Sequence, residues 1–283
     1  MNFDSENESV DLTGQVALVT GGGRGLGRTF ATALAAAGAA VAIVARSADQ
    51  LAETARNIRE AGGQVIPFVA DVVDQQAATE IVHQVNQHLG PVDLLVNNAG
   101  TITPIGPVSE TDADPWWRCM EVNLRGPLIY SRAVLDSMTA RGAGRIINIA
   151  SSAGIRNLPY LSAYAVSKAA LIRLTEIMAA ETREWGIRLF AIEPGTVRTA
   201  LAEYALESPE GRKYTPWFGQ IFEQGRDVPP DDSARLILLL ASGKADQLSG
   251  RFMTVFDDLR EMIDQIEKIE QEALYTLQLR RLR

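Results

Sequence analysis

The repeated alternation of short apolar runs with longer amphipathic segments is the feature that most constrains the fold of this 283-residue chain. Continuous β-branched strands separated by helical segments are typical of a parallel sheet covered by helices on both faces. The sequence predicts strands at Val16–Thr20, Ala40–Ala45, Val65–Val69, Val92–Val96, Arg145–Ile149, Arg188–Ile192 and Phe252–Val255. It predicts helices near 26–37, 48–61, 74–88, 112–140, 163–185 and 231–242.

A proline indicates the order of these strands. Pro67 lies within the third predicted strand, and because proline cannot donate a hydrogen bond to a neighbouring strand, this strand belongs at a sheet edge. The third strand is an edge strand in the 3-2-1-4-5-6 order of a doubly wound dinucleotide-binding fold. We therefore expect an α/β fold with a doubly wound, parallel, seven-stranded Rossmann-type sheet, helices on both faces and a C-terminal helical extension.

The chain divides into three predicted parts. Residues 1–13 begin with a polar, acidic stretch and predict a disordered leader. Residues 14–256 contain all the predicted strands and form a single Rossmann-type domain. Residues 257–283 carry apolar side chains at helical spacing, with acidic residues first and arginines last, which complements a helix dipole. They predict an amphipathic helix that packs within the chain or between subunits, or alternatively binds a regulatory partner.

The composition argues against several classes of protein. A net charge of −8 disfavours nucleic acid and anionic membranes as partners. The one cysteine, Cys119, has no second cysteine for an internal disulfide, and neither a signal peptide nor a membrane-spanning stretch is evident. We therefore expect a cytoplasmic protein. His83 and His88 have no partners at metal-ligand spacing, so we expect no metal site.

A glycine-rich turn joins the first predicted strand to the first predicted helix. Glycine tolerates positive φ and lets a phosphate approach the backbone closely. The N-terminus of the following helix offers unpaired N–H groups and a partial positive charge. Because the turn lies at a strand-to-helix junction, we interpret it as a phosphate-binding loop rather than a plain turn. Its sequence is Thr20-Gly21-Gly22-Gly23-Arg24-Gly25-Leu26-Gly27.

The spacing Gly-x-x-x-Gly-x-Gly, from Gly21 through Gly25 to Gly27, resembles that of the short-chain dehydrogenase/reductase family. The likeness continues in the ordered motifs Asn97-Asn98-Ala99-Gly100, Asn123, Ser151, Tyr164-x-x-x-Lys168 and Pro194-Gly195. The resemblance implies an NAD(P)-dependent oxidoreductase that acts on CH–OH groups and forms a homodimer or homotetramer. The expected cofactor-binding residues are Gly21, Gly23, Arg24, Gly25, Leu26, Gly27, Arg46, Ser47, Asp71, Val72, Asn98, Ala99, Gly100, Tyr164, Lys168, Pro194, Gly195, Val197 and Thr199.

The end of the second predicted strand bears on the choice of cofactor. An NAD-preferring site usually has a carboxylate there, whereas this chain has Arg46 and Ser47. Arg46 and Arg24 offer positive charge to a 2′-phosphate, which predicts a preference for NADP(H) over NAD(H); alternatively, both arginines are solvated surface charges. By resemblance, Asp71 and Val72 contact the adenine, although Asp71 is also a candidate cap for the next helix.

The expected catalytic residues are Ser151, Tyr164, Lys168 and Asn123. Tyr164 and Lys168 are one helical turn apart, and a nearby ammonium is expected to lower the pKa of the phenol. Tyr164 then transfers the proton, and Ser151 donates a hydrogen bond to the substrate oxygen. Ser152 is an alternative to Ser151. By resemblance, Asn123 belongs to a proton relay, although helix–helix hydrogen bonding is also open.

Residues 196–230 correspond to the family's substrate lid, and the aromatic side chains in it suggest an apolar or ring-bearing substrate or, alternatively, plain packing. Arg156 is a candidate for binding a carboxylate or an ordinary surface residue. Glu193, directly before Pro194, is unusual for the family, and the sequence offers no explanation of it. The expected substrate-binding residues are Ser151, Ile155, Leu158, Tyr164 and Tyr204.

The predicted activity is reversible hydride transfer between NADP(H) and a small-molecule carbonyl or secondary alcohol, with carbonyl reduction as the physiological direction. An alternative is an NAD-dependent catabolic dehydrogenase of a terpene, steroid or sugar alcohol. A third hypothesis is an NADPH-sensing binding protein. Such a protein is expected to lack the tyrosine or the lysine, and both are present here.

Overall fold

The computed structural model describes residues 10–279, and in this range seven strands form one parallel sheet. The order β3-β2-β1-β4-β5-β6-β7 confirms the doubly wound α/β prediction, and β3, which contains Pro67, lies at one edge as expected. Most predicted strand bounds agree with the structure to within one residue, although β4 begins two residues later than expected. The strands are β1 Val16–Thr20, β2 Ala40–Ala45, β3 Val65–Val69, β4 Leu94–Asn97, β5 Gly144–Ile149, β6 Ile187–Glu193 and β7 Phe252–Thr254.

Helices cover both faces of the sheet because side chains along each strand alternate in direction. In β1, Val19 belongs to the apolar cluster beneath α1, α2 and α10, whereas Leu18 belongs to the cluster beneath α3, α5 and α6. No helix within residues 10–279 is long and apolar enough to cross a membrane. The helices are α1 Gly25–Ala36, α2 Ala48–Glu60, α3 Gln75–His88, α4 Ala113–Met120, α5 Gly126–Arg141, α6 Ser162–Thr182, α7 Ala200–Glu207, α8 Pro209–Tyr214, α9 Trp217–Glu223, α10 Pro230–Ala241, α11 Leu259–Asp264 and α12 Ile266–Gln271.

The helix predicted over 112–140 is divided in the structure. A π-helical turn at Glu121–Arg125 separates α4 from α5 and contains the buried Asn123. Both polar ends of the Asn123 amide bind the backbone of Thr101, at 2.8 Å each. Turns of this kind are frequent at functional sites, so the interruption marks Asn123 as a position with a specific task.

The predicted leader extends too far into the domain. Residues 1–9 lie outside the described part of the chain, but Leu12 is buried in the core beneath α1 and α10. Its backbone N–H donates to the carbonyl oxygen of Ala37 at 2.7 Å. Residues 10–13 are therefore an ordered part of the domain rather than a disordered leader, because an apolar side chain and a backbone hydrogen bond fix Leu12.

The prediction of one amphipathic helix over 257–283 is wrong, although the C-terminal extension is partly helical. The structure has two short helices, α11 and α12, which are interrupted at Gln265. Further along, Ala273 and Tyr275 have φ values of 47° and 58°, a left-handed conformation that cannot continue an α-helix.

Packing explains why the C-terminal segment bends. Leu274 packs on the core cluster beneath α11, whereas Leu277 packs on a separate cluster that includes Ile172 and Phe252. Between them, the carbonyl oxygen of Tyr275 accepts the backbone N–H of Phe252 in β7 at 2.8 Å. A straight helix would not satisfy these contacts together. The terminal arginines, in residues 280–283, lie outside the described residues.

The buried position of Leu12 predicts a measurable contribution to stability. We expect Leu12→Ala to lower the free energy of unfolding by about 2–5 kcal/mol, because it removes a fully buried side chain and leaves a cavity. Val69→Ala is the control: Val69 is 62% exposed on the edge strand β3, and its truncation should cost less than about 0.5 kcal/mol. Urea unfolding measures both. Equal stabilities of the two variants would show that Leu12 is not part of the core.

Candidate active site

The glycine turn after β1 has a backbone that side chains would obstruct. Gly21 and Gly25 have φ values of 68° and 52°, and an added Cβ on Gly27 would lie 2.1 Å from the carbonyl oxygen of Gly21. Gly27 therefore permits α1 to approach the end of β1. Leu26, the one apolar side chain in this part of the turn, packs on the core cluster of α1.

The first turn of α1 has the features of an anion-binding site. Its N-cap, Arg24, makes no side-chain capping hydrogen bond, and no acidic residue lies in the first helical turn. The N–H groups at this end are thus open to an anion, and the helix dipole favours negative charge there. The residues present therefore fit the phosphates of a dinucleotide.

Two residues that the sequence analysis missed hold the glycine turn from behind. Arg28 donates to the carbonyl oxygen of Gly23 at 2.9 Å, and Thr54 donates to the same oxygen at 3.1 Å. Arg28 also forms a two-pronged ion pair with Glu53. These contacts join residues up to 31 positions apart, which no local motif signals.

A second side-chain bridge joins the ends of β1 and β4. The hydroxyl oxygen of Thr20 accepts the N–H groups of Asn98 and Ala99 at 3.0 and 3.1 Å. In return, the Asn98 amide donates to the carbonyl oxygen of Thr20 at 3.0 Å. An added Cβ on Gly21 would lie 2.8 Å from that same amide. The sequence placed Thr20 at the start of the glycine-rich turn but gave no sign of its role in this bridge.

The residues expected around the adenosine end of the cofactor lie near the ends of β2 and β3. Arg24 and Arg46 are exposed, and neither forms an ion pair with another residue within 10–279. The Ser47 hydroxyl accepts the backbone N–H of Gln50 and thereby caps α2. The structure thus leaves both guanidinium groups available to a ligand.

Asp71 does not cap the next helix, because Asp74 takes that position at the start of α3. Instead, the Asp71 carboxylate pairs with Arg118 of α4. Val72 is buried, and Gly126 lies against it closely enough that an added Cβ would be 3.1 Å from the Val72 side chain. The capping alternative for Asp71 is therefore wrong.

Tyr164, Lys168 and Ser151 come together at the carboxyl end of β5. The Lys168 Nζ atom lies 5.6 Å from the centre of the Tyr164 ring and donates to the carbonyl oxygen of Ile149 at 2.7 Å. Ser151 is a hydrogen-bond partner of the Tyr164 phenol, whereas the hydroxyl of the neighbouring Ser152 donates to Glu193. This geometry favours Ser151 over Ser152 as the residue that faces a substrate.

Asn123 and Gly100 lie beside this group. An added Cβ on Gly100 would be 3.3 Å from the Asn123 Oδ1 atom and 3.7 Å from the Lys168 Nζ atom. The Asn123 amide also donates to the Ser167 hydroxyl at 3.0 Å and contacts the Cys119 sulfur at 3.3 Å. The structure thus places Asn123, the predicted relay residue, near Lys168. The hydrogen bond from Asn123 to Ser167 of α6 also agrees with the alternative of helix–helix hydrogen bonding.

Burial governs the protonation of both central side chains. Desolvation raises the pKa of Tyr164 to about 12; Ser151 opposes this rise through its hydrogen bond, while the charge of Glu193 adds to it. Desolvation also lowers the pKa of Lys168 to about 8. The expectation that Lys168 lowers the pKa of the phenol is therefore wrong in direction, because desolvation outweighs the favourable interactions.

The turn after β6 faces the glycine turn. Gly195 has a φ of 81°, and an added Cβ on Gly25 would lie 3.3 Å from the Thr199 side chain. The Thr199 hydroxyl caps α7, and the carbonyl oxygen of Pro194 accepts the Ser233 hydroxyl at 2.6 Å. Val197 is buried. The two turns therefore lie against each other at the carboxyl edge of the sheet, where a doubly wound sheet has its ligand cleft.

An apolar cluster adjoins Tyr164 and joins the predicted lid to the body. Of the expected substrate residues, Leu158 packs in this cluster with Tyr164, whereas Ile155 is 51% exposed and the Tyr204 hydroxyl pairs with Glu210 within the lid. The lid members of the cluster lie in the segment that was expected to cover the substrate, whereas Ile102 and Ile105 had no signal in the sequence. The other members of the cluster are Ile102, Ile105, Leu161, Leu201, Ala205, Tyr214 and Phe218.

A doubly wound sheet, a glycine turn of this spacing and a tyrosine–lysine pair beside it define a class of proteins. They are typical of oxidoreductases that hold a nicotinamide dinucleotide across the carboxyl ends of the central strands. The model of the short chain dehydrogenase family matches residues 15–210, and the chain belongs to this family.

Relatives of known name cover nearly the whole chain. A short chain dehydrogenase of Pseudocercospora fijiensis is 36% identical over 91% of this chain and 85% of its own length. Galactitol 2-dehydrogenase of Rhizobium johnstonii is 38% identical over 89% and 97%. Gluconate 5-dehydrogenase of Burkholderia cenocepacia, solved with NADP and tartrate, has a TM-score of 0.79 and 32% identity over 89% and 98%. The chain is an NAD(P)-dependent oxidoreductase that acts on alcohols or ketones.

The buried ammonium of Lys168 predicts a pH-dependent cost in stability. Its pKa of about 8 in the folded chain lies below the ordinary value of 10.5, so the unfolded chain binds more protons between these values. Stability therefore rises with pH across that window, and the full cost remains below pH 8. Without added dinucleotide, we expect Lys168→Met to be more stable than the unmodified protein by about 1–3 kcal/mol at pH 7.

This advantage should shrink as the pH rises from 8 to 10, as measured by urea unfolding at each pH. Lys268→Met is the control, because Lys268 is exposed on α12 and its removal should have the same small effect at every pH. A stability difference for Lys168→Met that does not change with pH would contradict the burial of a charged ammonium.

Proposed function

We propose that the chain interconverts a carbonyl and a secondary alcohol with NADP(H), and that carbonyl reduction is its physiological direction. The observation that carries this proposal is the hydrogen-bonded contact of Ser151 with the phenol of Tyr164, with the Lys168 ammonium 5.6 Å from the ring centre. Hydride transfer to a carbonyl carbon leaves charge on the oxygen, and these groups are the donors that such an oxygen requires.

The nicotinamide supplies or accepts the hydride when it is bound. Tyr164, whose pKa burial raises to about 12, is protonated at neutral pH; it donates its proton to the carbonyl oxygen and receives one in the oxidation direction. Ser151 donates a hydrogen bond to the same oxygen. Lys168 holds the ribose hydroxyls, and Asn123, fixed by the backbone of Thr101, completes the proton relay.

The proposed preference for NADP(H) is supported by charge at the adenosine end of the cleft. Arg24 and Arg46 carry exposed guanidinium groups, and a guanidinium binds a phosphate through two parallel hydrogen bonds. The NADP complex of the related gluconate 5-dehydrogenase is consistent with this choice. The glycine turn and the turn from Pro194 to Thr199 hold the rest of the dinucleotide in this proposal.

The proposed substrate is a small or medium apolar or ring-bearing molecule. The cluster around Tyr164 supports this choice, because its lid and body residues are nearly all apolar or aromatic. Within it, Tyr214 of the lid packs against Tyr160 with ring centres 5.0 Å apart. A planar substrate would gain apolar contact area and ring stacking at such a surface.

The proposal also includes a cytoplasmic homodimer or homotetramer. The net charge of −8 disfavours binding to anionic membranes, which supports a cytoplasmic location. Exposed apolar side chains on α4 and α6, namely Trp117, Val166 and Ile177, support association between copies of the chain, since patches of this kind often mark interfaces.

Removal of the Tyr164 hydroxyl tests the proton-transfer role. We expect Tyr164→Phe to lower kcat by roughly 10²–10⁴-fold, the usual contribution of a positioned general acid, in a 340 nm assay of NADPH with a panel of ketones and alcohols. Tyr130→Phe is the control, because the Tyr130 hydroxyl is buried without a hydrogen-bond partner in the described chain. Full activity of Tyr164→Phe would exclude the mechanism, and tight NADPH binding without turnover of any substrate would favour a sensing protein.

A second substitution tests the cofactor preference. We expect Arg46→Ala to lower the ratio of kcat/KM with NADPH to kcat/KM with NADH by roughly 10–100-fold, since a charge-assisted hydrogen bond contributes about 1.5–3 kcal/mol. Arg56→Ala, which removes an exposed arginine from the adjoining α2, should leave the ratio unchanged. A preference for NADH in the unmodified protein would favour the alternative of an NAD-dependent alcohol dehydrogenase.

A further inference from the structure

Glu193 is an acidic residue in contact with the catalytic turn. It is the last residue of β6, and it is half-buried. One carboxylate oxygen accepts the hydroxyl of Ser152 at 2.8 Å. A half-buried carboxylate at this position is costly unless it is well bonded, so its presence calls for a physical role.

The hydrogen bond from Ser152 fixes a turn whose geometry matters for the site. Residues 152–154 form one 3₁₀ turn, and the Ser151 hydroxyl accepts the N–H of Ala153 at 3.1 Å. The turn lies tightly on α6, because an added Cβ on Gly154 would be 2.7 Å from the backbone of Lys168. A group that anchors Ser152 therefore also sets the position of Ser151 relative to the phenol.

The charge of Glu193 acts on the phenol as well. Desolvation is the main cause of the raised pKa of Tyr164, and the carboxylate of Glu193 adds to it. The hydrogen bond of Ser151 acts in the opposite direction. Desolvation raises the pKa of the Glu193 carboxyl itself; the hydrogen bond from Ser152 and the charge of Arg156 oppose this rise, whereas Asp257 adds to it.

We propose that Glu193 is a positioning residue of the active site: its carboxylate anchors the turn that presents Ser151, and its negative charge disfavours the phenolate form of Tyr164. This inference rests on the proposed proton-transfer role of Tyr164. A phenol that is held protonated is a ready proton donor to a carbonyl oxygen, and it is a base only at high pH. Glu193 therefore raises the pH at which Tyr164 becomes a base for alcohol oxidation.

Glu193→Gln separates charge from anchoring, because the amide oxygen still accepts the Ser152 hydroxyl while the negative charge is removed. We expect the rising limb of the pH profile of kcat/KM for alcohol oxidation to move to lower pH by roughly one unit. This is the effect of one charge several ångströms away at an effective dielectric of ~20. Glu176→Gln is the matched control. Glu176 is a poorly exposed carboxylate on α6, but it binds the backbone of Leu277 at the C-terminal segment, and its loss should leave the limb in place.

Ser152→Ala tests the anchoring, because it removes the hydrogen bond and leaves the charge. We expect kcat to fall roughly tenfold, since a small displacement of Ser151 impairs the alignment of reacting groups, while KM for the dinucleotide stays unchanged. An unshifted limb in Glu193→Gln, an equal shift in Glu176→Gln, or an unchanged kcat in Ser152→Ala would each overturn the proposal.

A readout without turnover separates this inference from the proposed function. In protein labelled with ¹³C at the tyrosine Cζ atom, the signal that disappears in Tyr164→Phe reports the ionisation of Tyr164. In Glu193→Gln this signal should approach the phenolate position at a pH roughly one unit lower than in the unmodified protein. If the protein turns over no substrate, the proposed function fails while this titration still decides the role of Glu193; an unshifted titration overturns that role even in an active enzyme.

Discussion

The hydrogen bonds between Thr20 and the segment Asn98–Ala99 are the constraint on which the cleft depends. The strands β1 and β4 are neighbours, but the chain leaves them towards opposite faces of the sheet, and this divergence opens a crevice at their carboxyl ends. Beyond the point where β1 and β4 diverge, their backbone N–H and carbonyl groups no longer form hydrogen bonds with each other. The hydroxyl and the amide take over those bonds, so that the glycine turn and the segment before Asn123 leave the sheet in fixed directions.

The chemistry of the site rests on groups that are held in an unfavourable environment. Lys168 is an ammonium removed from water, with a carbonyl oxygen of β5 as its hydrogen-bond partner, and the Tyr164 phenol is likewise desolvated. Apolar packing elsewhere in the domain offsets this desolvation cost. The fold thus supplies stability that the site uses to keep a desolvated phenol and a desolvated ammonium close together, as is common for active sites.

The sheet and the ordered motifs could be predicted from the sequence because β-branched runs, glycine spacing and Pro67 are local signals. What escaped prediction depends on contacts between distant segments. Arg28 and Thr54 hold the glycine turn from two different helices, and no spacing rule joins them to it. The direction of the Tyr164 pKa shift also escaped, since spacing gives the nearest charge but not the degree of burial. The C-terminal segment has helical periodicity in its sequence. Its backbone nevertheless bends, because Leu274 and Leu277 pack on two separate apolar clusters.

The hydrogen bond between the C-terminal segment and β7 affects whether a strand of another molecule can add to the edge of the sheet. The backbone N–H of Phe252 points away from β6 and could otherwise donate a hydrogen bond to a strand of another molecule. It donates instead to the carbonyl oxygen of Tyr275. At the opposite margin, Pro67 has no N–H to offer. Both edges of the sheet are therefore poor templates for the addition of a further strand.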